Sequence, residues 1–170
     1  LKSVRLLIWV PFLCCQMPEA SFPLLAEQFQ EKYGVEGIPA PYAPGPADFL
    51  IDVRDRSEQE ISMLPGAVAH SPDRDLIEAP GLKAFLANAP QGARVIVYCT
   101  VGYRSSRAIA GLKENQSLRI PVYNLEGGII GHASTGGILI TPASGKPTRK
   151  VHAYDSFWKQ FVRPPLEAVF

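Results

Sequence analysis

The stretch that decides the fold is residues 95–105, Val-Ile-Val-Tyr-Cys-Thr-Val-Gly-Tyr-Arg-Ser. It begins with β-branched and aromatic residues, a composition typical of a buried strand. The strand ends at Cys99, and the short loop that follows is closed by Arg104. A helix is predicted over residues 105–114, with Ser105 as its N-cap. Because a loop that enters a helix supplies converging backbone N–H groups and the positive end of the helix dipole, the stretch predicts an anion-binding cradle around Cys99.

The rest of the central sequence alternates between short apolar runs and helical patterns. Strands are predicted over residues 49–53, 67–69, 94–98 and 121–125, and helices over residues 24–33, 82–87 and 105–114. Strands that alternate with helices indicate a parallel α/β sheet with right-handed crossovers. The reactive crevice of such a sheet lies beyond the carboxyl ends of its strands, which is where Cys99 falls.

We divide the chain into four parts. Residues 1–20 form a possible signal peptide or leader, and residues 21–48 an N-terminal helix and a proline-rich arm. Residues 49–139 form the main domain, and residues 140–170 a tail whose short helix, over residues 155–162, packs on that domain. The arm has four prolines between residues 35 and 48, so it is predicted to be a linker or an extended surface segment.

The first twenty residues resemble a secretory signal peptide. Lys2 and Arg5 precede an apolar run over residues 6–15. Pro11 and Pro18 do not fit that pattern, and the chain begins with leucine. Export to the periplasm or the medium is favoured, with a cytoplasmic location as the alternative. The apolar run is too short for a stable transmembrane span, which needs about 20 residues.

Composition and spacing exclude several classes of partner. Seventeen basic and sixteen acidic residues give a net charge of +1, without the basic excess that nucleic-acid binding requires. The possible metal ligands are few and dispersed: Cys14, Cys15, Cys99, His70, His132 and His152. No metal-ligand spacing is present, adjacent cysteines do not readily pair, and the glycines form no dinucleotide fingerprint. We therefore expect neither a metal nor an organic cofactor, and no nucleic-acid partner.

Over residues 49–139 the chain resembles the single-domain sulfurtransferases of the rhodanese superfamily. Four segments carry the resemblance: LIDVR at 50–54 with Glu58, LPGAV at 64–68, CTVGYRS at 99–105 and NLEGG at 124–128. The resemblance implies an open parallel sheet of about five strands with helices on both faces. Met63 stands where many relatives have histidine, and His132 stands near a position often held by tryptophan. We interpret both as packing variations, and leave open whether His132 has a chemical role.

The resemblance also implies a reaction. Cys99 as thiolate takes a sulfane sulfur from a donor such as thiosulfate, and the persulfide passes it to cyanide, a small thiol or a protein acceptor. Cys99 and Arg104 are the candidate catalytic residues, with Arg104 binding the anionic donor or holding the loop. The candidate substrate-binding residues are Thr100, Val101, Gly102, Tyr103 and Ser105. Gly102 is the residue best able to adopt a positive φ.

Asp52 and Arg54 are candidate supporting residues behind the loop. Asp52 ends its strand and is expected either to fix Arg104 or the loop amides, or to form a structural charge network with Arg54 and Glu58. Both alternatives stay open at this point.

Two other functions compete with sulfur transfer. Phosphatases and arsenate reductases of a related fold also use a cysteine loop that ends in arginine, but with five residues between the two. Residues 100–103 are four, which favours a narrower cradle suited to sulfur. The second alternative is a module that carries sulfur or binds a protein without turnover.

Overall fold

The computed structural model describes residues 21–115 and 118–170. The predicted leader, with Cys14 and Cys15, lies outside the described residues. The helices are α1 (Ser21–Tyr33), α2 (Arg56–Ile61), α3 (Leu82–Ala87), α4 (Tyr103–Asn115), α5 (Gly128–Ser134) and α6 (Ser156–Lys159), with a 3-10 helix at Leu76–Glu78. The strands are β1 (Glu36–Ile38), β2 (Asp48–Asp52), β3 (Val68–Ala69), β4 (Arg94–Tyr98), β5 (Val122–Leu125), β6 (Leu139–Ile140), β7 (Pro147–Thr148), β8 (Lys150–His152) and β9 (Glu167–Val169).

A parallel sheet of five strands forms the centre of the fold, in the order β1-β5-β4-β2-β3. Side chains of β4 alternate between two apolar layers, as the twofold repeat of a strand requires. Ile96 and Tyr98 pack in one layer with α5, while Val95 and Val97 pack in the other with α4. The predicted α/β sheet of about five strands with helices on both faces is confirmed.

The proline-rich arm differs from its prediction. The sequence indicated a linker or surface segment over residues 35–48, but β1 lies within it and pairs with β5 as an edge strand. The strand ends at Ile38, directly before Pro39, because proline has no N–H to donate to the sheet. As an edge strand, β1 needs hydrogen-bond partners on one side only. The parallel sheet therefore begins before residue 49.

Helix α4 begins two residues earlier than predicted. Ser105 lies in its first turn rather than at its N-cap, because Gly102 leaves the loop with a φ of +102° and the helix starts directly at Tyr103. The change matters for the site, since the Ser105 hydroxyl is freed from capping and faces inward.

The C-terminal tail holds less helix and more strand than predicted. Helix α6 has four residues, capped by the Asp155 carboxylate, and β8 pairs in parallel with β9. Phe161 is buried, but Phe157, predicted on the same face, is exposed because the helix ends before a second turn. Within residues 21–115 and 118–170, no helix has the length and apolar character to cross a membrane.

Candidate active site

Cys99 follows directly on the central strand β4, at the carboxyl edge of the sheet. Its side chain is 1% exposed, and its Sγ accepts a hydrogen bond from the backbone N–H of Gly102 at 3.2 Å. A Cβ at Gly102 would lie 3.1 Å from Asn124 Nδ2, and its φ of +102° suits glycine. The sequence predicted converging amides from residues 100–105, and the structure describes one such bond to sulfur.

Ser105 brings its hydroxyl to the other side of the sulfur. Its Oγ lies 3.5 Å from Cys99 Sγ and 2.6 Å from the side-chain carbonyl oxygen of Asn124. A hydroxyl has one proton, and the shorter contact takes it. The Ser105 oxygen therefore faces sulfur mainly as a polar neighbour that is oriented by Asn124.

Asn124, at the third position of β5, holds the cysteine loop by hydrogen bonds from its side chain. Its amide nitrogen donates to the carbonyl oxygen of Gly102 at 3.2 Å and to Ser106 Oγ at 3.0 Å. The residue is fully buried, so each bond replaces one that water would otherwise supply. Asn124 was not predicted as a site residue, although it lies in the NLEGG segment and a polar asparagine in an apolar strand is itself a signal.

Arg104 is held by two carboxylates. Its Nη1 lies 2.7 Å from Glu58 Oε2 and 2.8 Å from Asp55 Oδ2, and its Nη2 lies 2.9 Å from Glu58 Oε1. Nη2 also donates to Thr100 Oγ1 at 2.7 Å, and that hydroxyl donates to Glu58 Oε1 at 2.6 Å. Of the two expectations for Arg104, this geometry supports holding the loop.

The buried Glu58 carboxylate is the centre of this network. Burial favours its protonated form, but hydrogen bonds from Arg104 and Thr100 outweigh burial and hold the pKa of Glu58 below its ordinary 4.5. Burial also opposes the charge of Arg104, yet the hydrogen bonds to Glu58 and the nearby negative groups raise the pKa of Arg104. Both groups therefore stay ionised as a pair. Glu58 and Asp55 are two more residues whose position beside the loop was not predicted from the sequence.

The expectation that Asp52 fixes Arg104 is wrong. The Asp52 carboxylate instead binds Arg54, at 2.7 Å from Asp52 Oδ2 to Arg54 Nη2, with both side chains 0% exposed. Arg54 Nη2 also donates to the carbonyl oxygen of Ser62 at 2.5 Å. This pair ties β2 to the segment after α2, so it is structural, whereas Glu58 turns toward the loop.

The amino end of α5 packs against the cysteine peptide. The N–H of Ile129 donates to the carbonyl oxygen of Cys99 at 2.9 Å, and that of Ile130 to Thr100 at 3.2 Å. This approach requires glycine at position 128, because a Cβ there would lie 2.4 Å from the Cys99 carbonyl oxygen. Gly128, the second glycine of the NLEGG segment, therefore lets α5 approach the Cys99–Thr100 peptide closely.

A pocket of about 490 Å³ opens above Cys99. Thr100, Val101 and Tyr103 line it, as predicted from the loop, and Phe29 of α1 and two aromatic residues of the tail, Tyr154 and Trp158, join them. Pro72 and four charged residues complete the lining, the latter being Asp55, Asp73, Arg104 and Arg107. Among the described residues, no group of three or more histidine, cysteine or carboxylate side chains is placed to hold a metal ion.

His132 lies away from this pocket. Its Nδ1 accepts the backbone N–H of Tyr42 at 3.1 Å, and its Nε2 lies 3.2 Å from the carbonyl oxygen of Ile138. These partners require the neutral tautomer with the proton on Nε2. Burial lowers the pKa of His132. The ring therefore joins the arm to the segment after α5.

Comparisons with known proteins agree with this architecture. A family model for the rhodanese-like domain matches residues 40–133. The fold is similar to thiosulfate sulfurtransferase from Pseudomonas aeruginosa, with a TM-score of 0.53 and 21% identity over 83% of this chain and 26% of that one. It is also similar to a Rhodopseudomonas palustris protein of unknown function described as a possible tyrosine phosphatase, with a TM-score of 0.50 and 19% identity over 72% and 96%. A rhodanese-related protein from Thermoplasma volcanium aligns with a TM-score of 0.46 and 19% identity over 62% and 98%. No curated protein shows significant sequence similarity to the chain.

Proposed function

Because the chain belongs to the rhodanese-like domain family, we propose that it is a sulfurtransferase that carries a sulfane sulfur on Cys99. The observation that carries the proposal is the setting of this sulfur. Cys99 Sγ lies at the base of a pocket and accepts the N–H of Gly102, and its loop is held by Arg104 and Glu58. A fixed amide donor beside sulfur stabilises negative charge without reorganising.

The first half-reaction loads the cysteine. The Cys99 thiolate attacks the outer sulfur of a donor such as thiosulfate, and a new S–S bond forms to Sγ. The S–S bond of thiosulfate breaks, and sulfite leaves with the electron pair. Cys99 then holds a persulfide anion, so the negative charge moves one atom outward and the total charge is unchanged.

The second half-reaction discharges the persulfide. Cyanide attacks the outer sulfur and leaves as thiocyanate, while the electron pair of the broken S–S bond returns to Cys99 Sγ. The sulfur on Cys99 carries a negative charge before and after each step. The N–H of Gly102 can therefore stabilise that charge throughout the cycle. No general base is required, because no proton moves when cyanide is the acceptor.

The occupied guanidinium of Arg104 argues against the phosphatase alternative. An arginine that clamps a phosphoryl group must turn its N–H groups to the oxygens of that group. Here these N–H groups face Glu58, Asp55 and Thr100, and the loop has four residues between cysteine and arginine. We therefore favour sulfur over a tetrahedral oxyanion.

The test is thiocyanate formation from thiosulfate and cyanide. We expect turnover by the full chain and its loss in Cys99→Ser, with the double variant Cys14→Ser and Cys15→Ser as the matched control that keeps turnover. Hydrolysis of p-nitrophenyl phosphate by the same protein, without thiocyanate formation, would support the phosphatase alternative. Sulfur bound to Cys99 without turnover would support a carrier that hands sulfur to a protein partner.

A further inference from the structure

Four aromatic side chains line the pocket above Cys99. Phe29 and Tyr103 contact each other edge to face, with ring centroids 5.3 Å apart, and form the wall on the α1 side. Tyr154 and Trp158 form a second wall, which the tail contributes. We name these four residues the aromatic mouth. Aromatic side chains bury large areas and bind flat apolar groups.

The tail is built to place Tyr154 at this mouth. Tyr154 has a φ of +67°, the only non-glycine residue with positive φ in the described part of the chain. Its N–H donates to His152 Nδ1 at 3.1 Å, which helps to hold the unusual backbone, and its ring lies 4.9 Å from the Arg104 guanidinium carbon. Backbone strain of this kind persists where the surrounding structure fixes it, commonly at functional sites.

Charge does not select the ligand of this pocket. Apart from the Cys99 sulfur, the side chains of its lining sum to no net charge, because Asp55 and Asp73 offset Arg104 and Arg107. A volume of about 490 Å³ is in the range of pockets for drug-sized molecules, far more than two-atom cyanide needs. The remaining basis for selection is the apolar surface of the aromatic mouth.

We propose that the sulfur acceptor is an uncharged organic thiol with a flat apolar body, which the aromatic mouth binds above the Cys99 persulfide. This inference rests on the proposed function. The persulfide places its outer sulfur about 2 Å beyond Sγ, the length of an S–S bond. A buried Cys99 can thereby deliver sulfur to a thiol seated in the pocket.

The transfer step balances without a further reagent. The acceptor sulfur attacks the outer sulfur of the persulfide anion and forms a new S–S bond. The bond to Sγ breaks, Sγ takes the electron pair together with the acceptor's thiol proton, and the acceptor leaves as a persulfide anion. Cys99 is then a thiol, which loses its proton to water before the next cycle.

The experiment compares two thiols of similar basicity. The full chain is loaded with thiosulfate, freed of excess donor, and discharged with benzyl mercaptan or with 2-mercaptoethanol, and intact mass reports the persulfide that remains. We expect benzyl mercaptan to discharge it at least about tenfold faster at equal subsaturating concentration, the advantage expected from burying one aromatic ring.

Variants on each wall test the assignment. In Trp158→Ala and in Phe29→Ala the rate ratio of the two thiols should fall toward one, mainly through a higher KM for benzyl mercaptan. Phe170→Ala is the matched control, because Phe170 is an exposed aromatic of the tail and does not line the pocket. In the unsubstituted protein, benzyl alcohol should compete with benzyl mercaptan, which tests binding without any substitution.

The outcomes distinguish failure of the proposed acceptor from failure of the proposed function. Equal rates for the two thiols, no competition by benzyl alcohol, or faster discharge by reduced thioredoxin than by either thiol overturns the proposed acceptor and leaves sulfur transfer standing. The last of these results would identify a protein acceptor. A chain that takes no sulfur from thiosulfate overturns the acceptor and the proposed function together.

Discussion

Arg104 and Glu58 form a two-pronged ion pair across the mouth of the cysteine loop, with N–O distances of 2.7 and 2.9 Å. Arg104 is the second residue of α4 and Glu58 lies in the first turn of α2, so the pair joins two helices that leave neighbouring strands. Glu58 also accepts the N–H of Asp55 at 3.1 Å as part of a capping box. One carboxylate thus fixes both a helix start and the loop of the candidate nucleophile.

Removing the charge of Glu58 should destabilise the protein. Glu58→Gln leaves the partly buried Arg104 with the single carboxylate of Asp55, and breaking a buried pair costs about 3 kcal/mol. The measurement is the free energy of unfolding in urea. Glu60→Gln is the matched control on the same helix, since its pair with Arg56 is exposed and should cost less than about 1 kcal/mol. Equal losses in the two variants would contradict the role of Glu58.

Stability should decrease in acid through the same residue. The pKa of Glu58 is lower in the folded chain than its ordinary 4.5, so its contribution is complete above that pH. It is lost as the pH falls below about 4.5 and through the folded-state pKa, because the unfolded chain then binds more protons. Urea unfolding across this range should show a steeper decline in the unsubstituted protein than in Glu58→Gln. Equal decreases in the free energy of unfolding of the two proteins would contradict this role of Glu58.

The position of the Cys99 peptide should depend on Gly128. A methyl group there meets the Cys99 carbonyl oxygen at 2.4 Å, so Gly128→Ala must move the peptide that carries the nucleophile. We expect thiocyanate formation to fall at least about tenfold, since small displacements at a reacting centre cost that much or more. Gly145→Ala is the control for backbone strain, because Gly145 has a similar φ of +65° with no atom within 4 Å of a Cβ. Similar activity in both variants would show that the close approach is unimportant.

His132 should affect stability and not chemistry. Its two ring nitrogens are occupied by Tyr42 and Ile138, so His132→Ala leaves the buried N–H of Tyr42 unpaired, at a cost of about 1–3 kcal/mol in the free energy of unfolding. The rate of thiocyanate formation per folded molecule should not change. A loss of rate at temperatures where the variant is fully folded would give His132 a chemical role.

Much of this structure was predictable from local sequence, and the exceptions have physical causes. The strand that ends just before Cys99 and the glycine at position 102 follow from β propensity and turn geometry, which act over a few residues. The partners of Arg104 and Ser105 lie 46 and 19 residues away, at Glu58 and Asn124, and depend on strand order. The edge strand β1 escaped prediction because its neighbouring prolines indicate a loop.

The tail shows the same limit at longer range. Its aromatic residues predicted packing against the domain, and Phe161 does pack there. That Tyr154 and Trp158 reach the pocket of Cys99, more than fifty positions earlier in the chain, depends on the path of the chain through β8, which pairs with β9. Sequence spacing alone carries no information on that path.

The most direct measurement of the central claim is the intact mass of the protein after exposure to thiosulfate. We predict a gain of one sulfur atom that maps to Cys99, disappears after cyanide is added, and is absent in Cys99→Ser. An unchanged mass in the unsubstituted protein, or the same gain in Cys99→Ser, would contradict the account.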